Sequence, residues 1–338
     1  MNRKLSKMIW SAWEALSKHA CKAYIAGPEL VDAMRTCRRL FGLGFSGTIC
    51  FWNIETDSPR DIADAYISAL SVLATEKLDC YLSLKLPPLN YDFALLSEVL
   101  LQARQGNTLV HFDSLGYETA DRTFSLIAHA ARAYPHLGCT LPGRWLRSVS
   151  DADFAVALGL HIRVVKGQWT DPQHPEIDPR QGFLNVIGRL EGRARSVAIA
   201  THDQELARSA LERLRRAGTP CSLELLYGLP MKPTLRVAAE LEVPVRVYVP
   251  FGHGWLPYSL TQARRNPRVF WWVLQDLITS GLPLTSKKSS SVILSPVEEN
   301  RSPSSISRSG TAASRSLERV SPTERGFSPR HKEKMIGG

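Results

Sequence analysis

The sequence predicts an α/β fold, a (β/α)8 TIM-like barrel with an N-terminal helical segment and a disordered C-terminal tail. From Gly44 onward, short apolar runs alternate with longer amphipathic stretches, which is the pattern of parallel strands joined by crossover helices. Eight such units follow in about 240 residues, the usual size of a closed barrel, whereas a doubly wound sheet normally needs fewer units. Polar residues also collect where the predicted strands end, as they do at the active-site face of such barrels.

The bounds of the predicted elements follow from these two patterns. The predicted strands are Thr48–Trp52, Cys80–Lys85, Thr108–Phe112, Leu137–Thr140, His161–Val165, Ser196–Ala200, Ser222–Leu225 and Arg246–Val249. The predicted helices are Asp61–Ala74, Asp92–Arg104, Asp121–Arg132, Asp151–Leu158, Phe183–Leu190, Gln204–Ala217, Pro233–Leu241 and, after the last strand, Tyr258–Ser280. Several helices begin with an acidic or Ser/Thr residue, which complements the free backbone N–H groups of a first turn.

The two ends of the chain differ in composition from the barrel segment, residues 44–284. Residues 1–43 are assigned to an N-terminal helical segment, because apolar residues recur at helical spacing from Met8 to Ala26. Residues 285–338 are rich in Ser, Pro, Arg and Glu and contain few large apolar residues. Such a composition cannot bury enough apolar surface to fold, so this tail is expected to be disordered.

Charge and cysteine usage exclude several classes of protein. The chain of 338 residues has a net charge of +10, but the tail from Ser286 holds ten Lys/Arg and five Glu, so +5 of that charge lies there. The barrel segment is only mildly basic, and no nucleic-acid partner is expected. The six cysteines are scattered without metal-ligand spacing, which indicates reduced thiols in a cytoplasmic protein and no metal site. No apolar run approaches the ~20 residues that span a bilayer, so no transmembrane segment is expected.

Charged and hydroxylic residues stand at the predicted C-terminal ends of the strands. They are Lys85, Asp113, Arg163, Lys166, Thr201, His202, Glu224 and Tyr248. A barrel interior is normally filled by branched apolar side chains, so these groups need partners or a ligand. An internal ion-pair network is the alternative to an active site, and polar residues at so many strand ends favour the active site.

Two loops at these strand ends favour an anion or a cofactor. After the fifth strand, Gly167 permits close backbone approach, and Arg163 and Lys166 supply positive charge nearby. After the sixth strand, Thr201 and His202 directly precede a helix, whose free amides favour a phosphate or another electron-rich group. A purely structural role for His202 stays open.

Six motifs follow one another in a fixed order along the barrel segment. They are Leu82-Ser83-Leu84-Lys85, Phe112-Asp113, Arg163 to Gly167, Ala200-Thr201-His202, Leu226-Tyr227-Gly228, and Arg246 to Gly252 with Trp255, Pro257 and Tyr258. From about Pro28 to Leu277 the chain thereby resembles the proline dehydrogenase family. The resemblance implies FAD as cofactor, a (β/α)8 barrel with a long last helix, and oxidation of proline or a proline-like cyclic amine to an imine by hydride transfer to the flavin. It also implies an electron acceptor, such as a quinone.

The resemblance implies roles for individual residues. The implied cofactor-binding residues are Arg163, Lys166, Gly167, Gln168, Thr201, His202 and Glu224. The implied substrate-binding residues are Lys85, Asp113, Tyr248, Tyr258, Thr261 and Gln262. Asp113 and Arg163 are the expected catalytic residues: the guanidinium would stabilise negative charge on the reduced flavin, and Asp113 would hold the neighbouring Lys85 charged or position a substrate nitrogen.

The last predicted helix departs from the family pattern. In the family, two adjacent arginines on this helix bind the substrate carboxylate, and here those positions are Thr261 and Gln262. Arg264 and Arg265 come three residues later; because an α-helix has ~3.6 residues per turn, an insertion would return them to a similar face, but the residues that follow match best without a gap. Losing the arginine pair removes charge-assisted hydrogen bonds worth about 1.5–3 kcal/mol each, so free proline is expected to be a poor substrate.

Three further departures lie near the expected cofactor. Pro142 and Glu224 stand at glutamine positions of the family, and Gln168 replaces a small residue beside the flavin ring. Glu224 would bring negative charge near the flavin and make its reduction harder. Together with the altered last helix, these departures suggest a flavoenzyme with an altered substrate, such as an esterified, amidated or decarboxylated cyclic amine.

Two other functions stay open at this point. The first is a barrel that has lost FAD and acts as a hydrolase, a lyase or a non-catalytic ligand-binding protein. Pro142 and Glu224 favour it, whereas it is opposed by the retained Arg163, Lys166, Gly167, Thr201 and His202. The second is an interaction protein that works through its basic tail. Truncation of the chain after Leu284 would distinguish this function from that of an enzyme. The expected location is cytoplasmic, either free or peripheral at a membrane.

Overall fold

The computed structural model describes residues 25–254, and this part of the chain forms eight parallel strands that close into a barrel in the order β1 to β8. The strands are β1 Ser46–Phe51, β2 Cys80–Leu84, β3 Val110–Phe112, β4 Leu137–Pro142, β5 His161–Val165, β6 Ser196–Ala200, β7 Cys221–Leu226 and β8 Val245–Phe251. The barrel closes where β8 pairs with β1, from Ser46 opposite Arg246 to Phe51 opposite Phe251. The predicted (β/α)8 barrel is confirmed.

Helices cover the outside of the barrel, and several of them begin at side-chain caps. They are α1 Leu30–Phe41, α2 Pro59–Glu76, α3 Phe93–Gln105, α4 Ala120–Ala133, α5 Ser148–Ala157, α6 Pro179–Leu190, α7 Gln204–Arg216 and α8 Lys232–Glu240. Ser58, Asp92, Asp178 and Asp203 precede α2, α3, α6 and α7, and each side chain accepts a hydrogen bond from a first-turn N–H. These caps satisfy backbone donors that have no partner inside a helix.

The start of the described region differs from the prediction. Ile25 and Ala26, the last residues of the predicted N-terminal helix, are not helical; the N–H of Ala26 donates to the carbonyl of Pro250 at 3.0 Å instead. Helix α1 lies within the predicted N-terminal helical segment, but its own bounds were not predicted, although Ala33 and Cys37 lie four residues apart on its buried face. Residues 1–24 of that segment, the predicted helix at 258–280 and the tail at 285–338 lie outside the described residues.

The interior of the barrel is polar, while the apolar core lies between the strands and the helices. Ile49, Leu82 and Val164 are fully buried in that outer core. Strand residues beside them face the barrel axis, because successive strand side chains point to opposite faces. The Thr48 hydroxyl of β1, for example, reaches across to Glu224 of β7 at 2.9 Å. The polar interior positions the candidate site.

Two expectations from composition can be compared with the described residues. No helix within residues 25–254 is both long enough and apolar enough to cross a bilayer. Cys37, Cys50, Cys80 and Cys139 are buried free thiols and Cys221 is a partly buried one, as expected for reduced core cysteines. In the same residues, no group of His, Cys, Asp and Glu is arranged to hold a metal ion.

Candidate active site

Arg163 lies at the centre of a buried hydrogen-bond network inside the barrel. Its side chain is 4% exposed and forms ion pairs with Asp113 at 2.6 Å and with Glu224 at 2.7 Å. The two carboxylates come from β7 and from the residue after β3, so the network joins strands that are not neighbours in the sheet. The predicted strand-end residues Asp113, Arg163 and Glu224 are therefore brought together.

Two tyrosines complete this network. Tyr248 of β8 donates to Asp113 Oδ2 at 2.7 Å, and its ring centroid lies 5.2 Å from the guanidinium carbon of Arg163. Tyr81 of β2 donates to Glu224 Oε2 at 3.2 Å. The contact of Arg163 with the Tyr248 ring has the distance of a cation–π interaction.

Burial and charge together shift the ionisation of these groups. Burial lowers the pKa of Arg163, but Glu224, and then Tyr81 and Asp113, together raise it by more than burial lowers it. The net shift of this pKa is therefore upward, and the guanidinium stays charged. Burial, and then the Asp113 carboxylate, raise the pKa of Tyr248 well above its usual value. Tyr248 is therefore a neutral hydrogen-bond donor at this site.

The expected pairing of Lys85 with Asp113 is not formed. Lys85 Nζ lies 3.3 Å from Cys50 Sγ and 3.4 Å from the carbonyl of Phe51. Asp113 is held by Arg163 and also accepts from Ser83 Oγ at 2.7 Å. The arginine reaches Asp113 across the barrel and donates to it from Nη1, while its other N–H groups bind Glu224, Ser83 and Tyr81.

A cavity of about 410 Å³ opens above this network at the C-terminal ends of the strands; we call it the mouth cavity. Arg163 and Asp113 lie at its base, and Lys85 and Tyr248 line it. Its remaining wall is largely apolar and includes three tryptophans, Trp52, Trp145 and Trp169. A few polar groups within an apolar and aromatic wall are the usual arrangement of a small-molecule site.

The wall formed after β5 is held by the loop after β4. Arg144 Nε donates to the carbonyl of Gly167 at 3.0 Å, and Trp145 Nε1 donates to that of Trp169 at 2.9 Å. Gly167 has a φ of +91°, a conformation that a side chain would strain, and an added Cβ would lie 2.9 Å from Pro142 Cβ. The prediction of a glycine that permits close backbone approach is consistent with this geometry.

A second cavity of about 930 Å³ adjoins the mouth cavity, and we call it the side groove. The two cavities share Gly167, Gln168 and Trp169 in their walls. The side groove is also lined by Arg144, Lys166 and Arg180, and by the carboxylate residues Glu118 and Asp178. The mildly basic groove therefore lies beside the mouth cavity, on the other side of this shared wall.

The side chains of Thr201 and His202 form hydrogen bonds with backbone groups of the protein. The Thr201 hydroxyl accepts from the N–H of Asp203 at 3.1 Å, at the start of α7. His202 Nε2 accepts from the N–H of Leu226 at 2.9 Å, and Nδ1 lies 3.0 Å from the Pro230 carbonyl. Burial lowers the pKa of His202, so the ring is neutral and links the loops after β6 and β7.

Neither Thr201 nor His202 is among the residues that line the mouth cavity or the side groove. Their contact with a cofactor stays a prediction, since both ring nitrogens of His202 are already engaged by backbone groups. Lys166 lines the side groove, and its Nζ lies 3.6 Å from Asp203 Oδ2. Tyr258, Thr261 and Gln262 lie outside the described residues.

Several site residues were not singled out from the sequence. Thr48 and Cys50 of β1, and Tyr81 and Ser83 of β2, take part in the network or contact Lys85. Each pair is separated by one residue, which is the spacing of side chains on one face of a strand. Polar residues at alternate positions of otherwise apolar strands were the available signal.

Comparison with known proteins gives a consistent set of relatives. "Proline dehydrogenase 1" of Bacillus subtilis subsp. natto is 24% identical over 273 residues, covering 76% of this chain and 90% of the relative. "Proline dehydrogenase" of Deinococcus radiodurans is 22% identical over 276 residues, covering 75% and 89%. No protein-family model matches the chain.

Solved structures show the same fold. Proline utilization A of Bdellovibrio bacteriovorus, inactivated by N-propargylglycine, has a TM-score of 0.64 at 15% identity, covering 76% of this chain. Proline utilization A of Corynebacterium freiburgense has a TM-score of 0.63 at 15% identity, covering 82% of this chain. The chain spans only 33% and 35% of the length of these two proteins. The shared barrel and the curated relatives, which are named proline dehydrogenases and match about three quarters of the chain, together support its resemblance to the proline dehydrogenase family.

Proposed function

We propose that the protein is an FAD-dependent oxidoreductase that oxidises proline or a proline-like cyclic amine to an imine. The observation that carries this proposal is the mouth cavity, in which Asp113, Arg163 and Tyr248 form one polar network beneath aromatic walls. Curated relatives named proline dehydrogenases match this chain over three quarters of its length, which supports the same reaction class.

The residues around the two cavities fit FAD. The mouth cavity offers aromatic contact area for a flat ring system. Lys166 and Arg180 line the side groove, where both also pair with Asp203, and their charges would attract a pyrophosphate. Gly167 allows its own backbone to approach the cofactor closely. Bound FAD would supply the acceptor for a hydride from the amine carbon.

The protein's own groups bind and orient the substrate in this proposal. Lys85 has no carboxylate partner within residues 25–254, so its charge is available to an electron-rich substrate group. Asp113 is positioned by Arg163, Ser83 and Tyr248, and its carboxylate is suited to accept a hydrogen bond from a substrate nitrogen.

The substrate itself is proposed to differ from free proline. Thr261 and Gln262 stand where the family has its carboxylate-binding arginines, so an amine whose carboxylate is esterified, amidated or absent suits the site better. The alternative of a barrel that has lost FAD is not favoured, because the curated relatives are named as dehydrogenases. An external electron acceptor, such as a quinone, completes the proposed reaction.

Anaerobic mixing of the flavin-loaded protein with a panel of amines tests this function. Proline methyl ester, prolinamide and pyrrolidine should reduce the flavin, seen as loss of its absorbance, at least tenfold faster than proline at equal concentration. Rapid reduction by millimolar proline would contradict the altered substrate while leaving the reaction class intact. Reduction by none of the four would contradict the proposed reaction.

A further inference from the structure

All five N–H donors of the Arg163 guanidinium point at acceptors inside the barrel. Nε and Nη2 donate to Glu224 at 2.7 and 2.9 Å. Nη1 donates to Asp113 at 2.6 Å and to Ser83 Oγ at 3.3 Å, and Nη2 also lies 3.3 Å from the Tyr81 hydroxyl. A guanidinium has five N–H groups in total. Arg163 therefore has none left for a ligand in the mouth cavity and acts on such a ligand through its charge.

Glu224 is surrounded by donors in the same way. It is 2% exposed and accepts two hydrogen bonds from Arg163, one from Thr48 Oγ1 at 2.9 Å and one from Tyr81 at 3.2 Å. An ionised carboxylate has about four acceptor sites, and four donors occupy them here. Donors within the described residues therefore occupy all the acceptor sites of this carboxylate.

The charges of the network do not cancel. Arg163 carries one positive charge, whereas Asp113 and Glu224 carry one negative charge each. Lys85 forms no hydrogen bond with either carboxylate within the described residues and contacts Cys50 Sγ instead. The three hydrogen-bonded groups Arg163, Asp113 and Glu224 therefore sum to a charge of about −1, with Lys85 near Asp113 and with Arg246, which pairs with Asp79, beside them. Glutamine at position 224 would make this network more positive by about one charge.

We infer that Glu224 is a positioning residue that lowers the reduction potential of the flavin by cancelling the charge of Arg163. The inference rests on the proposed function, which places the flavin in the mouth cavity. Reduction of a flavin adds negative charge to its ring, so a nearby net negative charge disfavours the reduced form. The effect is strong because the network is buried, where charges are poorly screened.

Dye equilibration of the flavin-loaded protein under anaerobic conditions tests the inference. The Glu224→Gln variant removes the charge but keeps the size of the side chain, and should shift the flavin–dye equilibrium at least tenfold toward reduced flavin. For a two-electron couple, a tenfold change corresponds to about 30 mV toward a more positive potential. Glu224→Asp keeps the charge and should stay within threefold of the wild type.

Two controls separate charge from structure. Glu98→Gln removes the same charge from the exposed surface of α3, where Glu98 pairs with Arg60, and should leave the potential unchanged. Thr48→Val removes one neutral donor from Glu224 and leaves its charge less screened, so the potential should fall. This variant decides the question if the Glu224 variants do not retain flavin.

The outcomes that overturn the inference differ from those that overturn the proposed function. Flavin-loaded Glu224→Gln protein with an unchanged or lower potential would refute it, as would equal shifts in Glu224→Gln and Glu224→Asp. If the Glu224 variants lack flavin, an unchanged or higher potential in Thr48→Val would refute it. Wild-type protein that binds no flavin would instead contradict the proposed function, and this inference with it.

Discussion

The guanidinium of Arg163 is buried between two carboxylates, so its removal leaves Asp113 and Glu224 as uncompensated buried charges. Breaking a buried ion pair by removing one partner typically costs about 3–5 kcal/mol. Arg163→Met should therefore lower the free energy of unfolding in urea by about 3–5 kcal/mol. Arg189→Met is the matched control, because Arg189 pairs with Asp153 at the exposed surface. Equal losses in the two variants would contradict the central position given to Arg163.

His161 gives the fold a dependence on pH. Its Nδ1 lies 2.5 Å from Ser196 Oγ, and burial, followed by Arg195, lowers its pKa from 6.5 to about 4. Below about pH 6.5 the unfolded chain takes up a proton that the folded protein refuses until about pH 4, so stability is full above this window and falls as the pH decreases through it.

Urea unfolding at a series of pH values between 7.5 and 4.5 measures this effect. This series covers roughly the range between the pKa of His161 in the unfolded chain and its lowered pKa in the folded protein. The wild type should lose stability more steeply than His161→Gln, which has no titrating ring. His111 is fully buried and its pKa is lowered well below 6.5, chiefly by burial, so it contributes in the same direction in both proteins. Parallel curves would exclude His161 as a contributor.

At the scale of residues, the sequence was sufficient to select Asp113, Arg163, Glu224 and Tyr248 as candidate site residues. Charged and hydroxylic side chains are unusual in a barrel interior. Their partners were not predictable in the same way. Whether Asp113 meets Lys85 or Arg163 depends on which strands face each other after closure. Strand spacing alone does not determine that register.

At the scale of elements, a close backbone contact fixes the loop after β4 against the start of α6. A Cβ added to Gly182 would lie 1.9 Å from the carbonyl oxygen of Gly143, and backbone cannot move as a side chain can. The loop that contains Gly143 also carries the groups that hold Gly167, through the bond from Arg144. The contact therefore positions the wall shared by the two cavities.

Gly182→Ala should consequently loosen the site as well as the fold. We expect faster loss of FAD during dialysis and a lower melting temperature, because the β4 loop must move to admit the methyl group. Gly188→Ala on the same helix is the control: an added Cβ there meets only the end of the flexible Arg213 side chain. Retention of FAD equal to that of the wild type in Gly182→Ala would contradict this role of the contact.

The elements of the barrel were largely predictable because each strand is a short apolar run between helices with caps. The bounds of β5 and β6 agree with the prediction, and β7 is longer by one residue at each end. Helix α1 lies within the predicted N-terminal helical segment, and its own bounds were missed although its buried residues recur at helical spacing and Arg35, Arg38 and Arg39 lie on the exposed face. The apolar face of α1 packs on the barrel, where Met34 is buried.

At the scale of the whole molecule, closure of the barrel converts scattered polar residues into one network. β1, β2, β5, β7 and β8 each contribute a side chain to the hydrogen bonds around Arg163, as does the residue after β3. Eight repeated units could be predicted from the sequence. The shape of the mouth cavity and its position beside the side groove, in contrast, depend on how the loops pack. Closure of the barrel thus gathers the polar groups of the proposed redox site beneath the C-terminal ends of the strands.

The absorbance spectrum of the purified protein tests the central claim most directly. Protein produced in a host supplied with riboflavin should show flavin bands, and the cofactor released by denaturation should be FAD at about one equivalent per chain, as one mouth cavity per barrel requires. Protein that is colourless and also fails to take up added FAD would contradict the account.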